Sequence, residues 1–203
     1  PGVQHMRHTH LPEHKFISGQ PETGADLADD LERIATNFGP ENIAACIVEP
    51  IAGSTGTLVP PKGYLQKLRE TCDKHGILLI FDEVITGWGR TGSAFASHEF
   101  GVTPDIMTMA KATTNGVVPM GVVACKDEIY DGVMDASPMG SVELFHGYTY
   151  SGIPVAVAAA LAVQDIFEKE DIFERAKNLA PYFQKGLFSL QDLDAVDNIR
   201  GYG

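Results

Sequence analysis

Tyr64-Leu65-Gln66-Lys67-Leu68-Arg69-Glu70-Thr71-Cys72-Asp73-Lys74-His75-Gly76-Ile77-Leu78-Leu79-Ile80-Phe81-Asp82-Glu83 is the stretch that decides the fold. Its first part, 64–75, has the amphipathic spacing of a helix that buries one side, and Gly76 stands where a helix commonly ends in the left-handed conformation. The five apolar residues 77–81 follow without alternation, which is the pattern of a strand covered on both faces. A helix leading directly into such a strand is half of a strand-helix-strand unit.

Working outward, the other half is present. Residues 43–48 form a second continuous apolar run. Ahead of it Leu27, Leu31, Ile34 and Ala35 are spaced for an amphipathic helix that ends near Gly39-Pro40. Past a glycine-rich stretch (Gly87, Gly89, Gly92) come two more short apolar runs, 106–110 and 122–125. Four buried strands with helices between them predict an α/β fold with a mostly parallel sheet and flanking helices. An alanine-rich segment, 155–167, reads as a buried helix and 173–190 as a more polar one. Residues 1–20 show no period and read as a loop.

The composition narrows the function classes. Of 203 residues, 44% are apolar and 21% charged, the balance of a folded protein rather than a disordered one. The net charge of −12 repels phosphate backbones and anionic membranes, so neither nucleic acid nor a membrane surface is an expected partner. Cys46, Cys72 and Cys125 are odd in number and widely spaced, offering neither a disulfide framework nor a CxxC pair. With no apolar run of the ~20 residues a membrane span needs and no signal-peptide pattern, the cytoplasm is the expected compartment. His5, His8, His10 and His14 lack the helical i, i+4 pairing of a zinc site, and no metal is expected. The segment 87–92 lacks the lysine of a P-loop and reads as a turn carrying Trp88. The chain starts at Pro1 and stops at Gly203 within an apparent turn, and so reads as an internal fragment.

In α/β sheets ligands gather at the carboxyl ends of the strands. Three such ends carry polar groups here: Glu49 after 43–48, Asp82 and Glu83 after 77–81, and Lys111 after 106–110. A carboxylate after a strand is commonly a cap or a loop ion pair, which is the plain reading of Glu49 and Glu83. Asp82 lies between apolar runs, so burial and a compensating partner are expected. Lys111 sits between Met107-Thr108-Met109-Ala110 and Ala112-Thr113, and a buried lysine is the amine that Schiff-base chemistry uses.

Four motifs in order make this specific. Glu49-Pro50-Ile51-Ala52-Gly53-Ser54-Thr55-Gly56, the run from Leu79 to Gly92 around Asp82-Glu83-Val84-Ile85, Met109-Ala110-Lys111, and His146-Gly147-Tyr148-Thr149-Tyr150-Ser151-Gly152 resemble the class III aminotransferases. These are pyridoxal 5′-phosphate enzymes of fold type I. Lys111 follows Asp82 by 29 residues, as the family's pattern leads one to expect. The resemblance implies that 41–170 is the central part of the cofactor-binding large domain. Residues 1–40 would lead into it, and 171–203 would form a helix leading to a truncated small domain.

The resemblance also implies roles. Lys111 would hold the cofactor as a Schiff base and shuttle a proton, and Asp82 would pair with the pyridinium nitrogen. Val84, two residues on in an extended segment, would pack on the ring. Thr149 would reach the cofactor phosphate of a partner subunit, implying a homodimer with a shared active site, and Glu49 would lie near the cofactor. Ser54 and Ile85 stand where ornithine and GABA aminotransferases have glutamate and glutamine, and resemble instead the ω-amino-acid:pyruvate branch. That implies amino transfer from an ω-amino acid such as β-alanine, or an amine, to a keto acid such as pyruvate, by a ping-pong course. Ala112 and Thr113 depart from the glycine and leucine of the pattern, and Ile153 from its histidine. An aminomutase or a decarboxylase would use the same Lys111 and Asp82, and a truncated non-catalytic relative acting as a dimerisation module is the reading from another class. Neither a Gly-Ser phosphate loop nor a ring-stacking aromatic precedes Glu49, so this chain alone is expected to show little activity.

Overall fold

The computed structural model describes residues 2–139 and 146–203. Four strands form one sheet in the order β1-β2-β3-β4: β1 (Ala45–Val48), β2 (Leu78–Asp82), β3 (Ile106–Met109) and β4 (Val122–Cys125). The first three are parallel and β4 is antiparallel to β3. Six helices accompany them among the described residues: α1 (Asp29–Phe38), α2 (Tyr64–His75), the short α3 (Ala96–Phe100), α4 (Asp127–Ala136), α5 (Pro154–Lys169) and α6 (Ile172–Phe188). The mostly parallel α/β architecture expected from the apolar runs is the one observed.

The unit β1-α2-β2 organises the core. In α2, Tyr64, Leu65, Leu68 and Cys72 are buried, a single stripe along the helix. Gly76 ends the helix at φ 67°, where a Cβ would be strained, and the Ile77 amide closes back on the Cys72 carbonyl at 2.9 Å. That stripe lies on Cys46, Leu79 and Phe81, joined by Leu27 and Leu31 from the α1 region and by Phe100 and Val102. Cys46 and Cys72 meet inside this core as free thiols. The hydrogen bond with Cys46, and after it burial, pushes the Cys72 thiol upward.

Two expectations about coverage are corrected. The strands are sealed on one face only: Leu79 and Phe81 are fully buried, whereas Ile47 is 60% exposed and Val123 68%. The register explains this, because Ile47, Ile80 and Ile106 pair side by side and point to the face opposite α2. Helix α5 forms where the alanine-rich segment predicts it, but it is not a buried helix. Only Ala156 and Ala160 are buried, while Val155 and Leu161 stand exposed. An apolar sequence reports the capacity to be covered, not the presence of a cover.

At the end of the sheet away from the strand carboxyl termini of β2 and β3, Asp105 ties several elements together. Its carboxylate accepts from the Leu79 amide (2.7 Å), Arg69 of α2 (2.8 Å) and Lys126 (2.7 Å). Burial raises its carboxyl, but the hydrogen bonds from Lys126, Leu79 and Arg69 outweigh that and hold it below the ordinary carboxylate range. The amino-terminal loop is fastened in a similar way, Arg7 donating to both oxygens of Asp30 at 3.0 and 3.1 Å. No helix among the described residues is long and apolar enough to cross a membrane.

Candidate functional site at the strand carboxyl ends

Three parallel strands end side by side, and each delivers one of the expected polar groups. Val48 pairs with Phe81, so Glu49 and Asp82 leave their strands at the same level. Asp82 pairs with Thr108, and Lys111 lies three residues further along β3's exit. Asp82 shares the open face with Ile47, Ile80 and Val123.

Asp82 is half-buried rather than sealed, because its face of the sheet is open. Its Oδ1 accepts the Val84 amide at 3.0 Å, which pins the carboxylate in the turn after β2. The compensating partner expected from the sequence is thus the Val84 amide, and no cation reaches the carboxylate among the described residues; the full burial expected of Asp82 is not what forms. Val84 is placed differently from expectation too. The strand stops at Asp82 and 84–90 turn, so the alternation of an extended segment does not govern Val84. Its backbone, rather than strand periodicity, ties it to Asp82.

Lys111 is exposed, contrary to the burial expected from its apolar neighbours. It opens a single 3-10 turn, Lys111–Thr113, with φ 49°, a left-handed conformation that a residue with a Cβ adopts at a cost. No hydrogen bond or ion pair holds its side chain among the described residues. The amine is thus uncommitted, at the exit of the strand next to the one that ends at Asp82.

Glu49 is half-buried, and its Oε2 accepts the Gly53 amide at 3.0 Å, closing the loop after β1. That loop touches the one after β2: a Cβ on Gly53 would lie 2.6 Å from the Ile85 Cδ1, so Ile85 packs directly on the Gly53 backbone. Thr149 is not brought to this group. It lies on the exposed turn 148–152, shaped by the Tyr148 amide donating to Ser151 Oγ at 2.9 Å.

Glu83, adjacent to Asp82, has a structural job. It is fully buried, its carboxylate accepting from Thr86 Oγ1 (2.6 Å) and from the Ala96 (2.8 Å) and Ser97 (2.7 Å) amides at the start of α3. The plain reading of this residue as a cap is the correct one, although the helix it caps lies 13 residues away rather than next to it. The turn carrying Trp88 also forms as read, with Trp88 at φ 61° and its amide donating to the Ala94 carbonyl at 2.6 Å. Its indole reaches the lysine turn, donating from Nε1 to Thr113 Oγ1 at 3.0 Å. In the sequence Thr113 stands out only as a departure from the family's pattern. Nothing in spacing signals a contact across 25 residues. Among the described residues, no group of three or more His, Cys, Asp or Glu side chains is arranged to hold a metal ion.

Comparison with known proteins gives the site its context. Residues 2–203 match the Aminotransferase class-III family. The chain is 56% identical over its whole length to an omega-aminotransferase of Caulobacter vibrioides, covering 46% of that protein. It is 51% identical to a beta-alanine–pyruvate aminotransferase of Pseudomonas aeruginosa, over 99% of this chain and 45% of that one. A solved (S)-enantioselective omega-transaminase from Thermomicrobium roseum superposes with a TM-score of 0.83 at 44% identity, covering 88% of this chain and 39% of that one. The chain thus spans a little under half the length of the curated relatives it matches.

Proposed function

From the premise that this chain belongs to the class III aminotransferases, we propose that it carries the amine-bearing half of a transaminase site that uses pyridoxal 5′-phosphate. The observation that carries the proposal is the placement of Asp82 and Lys111 at the carboxyl ends of neighbouring parallel strands, one carboxylate oxygen fixed by Val84 and the lysine amine uncommitted. When bound, the cofactor supplies the electron sink that lets an amino group leave one carbon for another.

The donor set fits such a group. Lys111 would hold it through the side-chain amine and, when released, move a proton at the substrate carbon that loses or gains the amino group. Asp82 would hold a proton on the ring nitrogen, and the Val84 amide keeps that carboxylate from turning away. Val84 and Glu49 would border the ring. Thr149, exposed on its own turn, would reach the phosphate in a second subunit, which makes the complete site a property of a homodimer. The names of the relatives support an ω-amino acid such as β-alanine as amino donor and pyruvate as acceptor, with Ile85 packed on Gly53 as part of the wall beside the ring. The cytoplasm is the proposed compartment.

The test is absorption of the full protein with pyridoxal 5′-phosphate, then borohydride reduction and peptide mapping. The expected result is a visible band and a stable adduct on Lys111. An adduct on another lysine, or none, would sink the proposal. Adding amino donor alone should then convert the cofactor to its amine form. Release of carbon dioxide instead would identify a decarboxylase.

A further inference from the structure

Resting on the assignment of Lys111 as the cofactor lysine, we propose that Trp88 and Thr113 are positioning residues, forming a hydrogen-bonded brace that holds the left-handed turn at Lys111 and so aims its amine. The turn has to be held by something, because φ 49° is unfavourable for a lysine. If the backbone relaxed to an ordinary negative φ, the Cα–Cβ bond would point elsewhere.

Thr113 supplies the restraint from one side. Its hydroxyl donates to the Ala110 carbonyl at 3.0 Å and its amide donates to the same oxygen at 3.1 Å. Residues 110 and 113 are thus clamped across Lys111 and Ala112. The hydroxyl oxygen in turn accepts the Trp88 indole N–H at 3.0 Å. With its proton committed to Ala110, it is the acceptor the indole needs, and the two bonds orient one another. Thr113 is buried, so the links compete little with water.

Trp88 is itself immobilised. Its ring meets Phe95 edge-on with centroids 5.0 Å apart and lies nearly parallel to Phe167 of α5 at 5.9 Å. The brace therefore runs from α5 through the indole and the threonine to the backbone on both sides of Lys111. Leucine at 113 would leave the indole N–H without this acceptor, and the turn without its side-chain clamp.

The test uses Thr113→Val, which keeps shape and removes the hydroxyl, Thr113→Ser, which restores it, and Trp88→Phe, which keeps a ring and removes the N–H. Two readouts are taken on the full protein. One is the pyridoxal 5′-phosphate concentration needed to half-saturate the borohydride-trapped adduct on Lys111. The other is amide hydrogen exchange of residues 110–114 in the cofactor-free protein. Thr113→Val and Trp88→Phe should each raise the half-saturating concentration about fivefold, the worth of one ordinary hydrogen bond, and speed exchange in the turn. Thr113→Ser should restore both, and the double variant should lose little more than either single one, because both cut the same brace. Unchanged half-saturation in Thr113→Val or Trp88→Phe, no rescue by serine, or additive losses would overturn the brace while leaving a wild-type adduct on Lys111, and the proposed function, intact. A wild-type protein with no adduct on Lys111 would overturn both.

Discussion

On one face of the sheet Leu79 and Phe81 are sealed beneath α2, whereas on the other Ile47 is 60% exposed and Val123 68%. The two rows are built from the same kinds of residue, so composition does not separate them. What separates them is that α2 turns a stripe of Tyr64, Leu65, Leu68 and Cys72 onto the first row, and no described helix does the same for the second. The covered face is therefore where stability resides. The open face carries Asp82 at its carboxyl-terminal edge, where a site needs access.

The contrast is broken most forcefully through Leu68, fully buried against the sheet. Leu68→Ala should cost about 2 to 5 kcal/mol, the transfer loss plus the cavity left behind, measured as a shift in urea midpoint at unchanged slope. A cost below 1 kcal/mol would mean that the α2 face is not the core.

The second test is Glu83, which belongs to the covered side although it neighbours Asp82. Glu83→Ala strips the acceptor from the Ala96 and Ser97 amides and from Thr86, and should cost about 1 to 3 kcal/mol. Its effect on cofactor capture by Lys111 should be no larger than its effect on stability. A Glu83→Ala protein of normal stability that cannot capture the cofactor would reverse the assignment and make Glu83 part of the chemistry.

How much of this was legible beforehand follows the range of the interactions. The α2-Gly76-β2 passage was readable residue by residue, because helix period, cap and apolar run are all local: the helix runs Tyr64–His75 and Gly76 takes the left-handed cap. The four strands and the strand-end positions of Glu49, Asp82 and Lys111 were readable for the same reason. What hid was everything set by neighbours distant in sequence. Ile47 and Leu79 look alike until the register assigns them opposite faces. Glu83 looks like a companion of Asp82 until α3 returns to it. Thr113 looks like a mere variation until the indole of Trp88 arrives, and the exposure of Lys111 depends on which face is left open.

A third test uses pH. The hydrogen bonds to Asp105 hold its carboxyl below the ordinary value, so folding gains stability from it above the unfolded-state range of about pH 4. That gain disappears as pH falls through this range and on through the lower folded value. Urea midpoints measured from pH 6 down to pH 2.5 should therefore fall on the acid side. Asp105→Asn should start lower at pH 6 and show a flatter acid limb, because the asparagine has no proton to take up. Parallel acid limbs in the two proteins would place the linkage elsewhere, with Asp30 and its Arg7 partner next in line.

The smallest effect belongs to the open face, and it sharpens the comparison most. Ile47→Ala removes about as many carbons as Leu68→Ala, but from a side chain that already meets water, so the expected cost is about 0.5 kcal/mol or less. Both variants lie in the same β1-α2-β2 unit, and the difference between their urea midpoints measures coverage rather than residue type. Should Ile47→Ala instead approach the 2 to 5 kcal/mol of a buried deletion, a further layer of protein must pack on this face in solution. The open edge at Asp82 would then be the rim of a closed cleft rather than part of an exposed sheet.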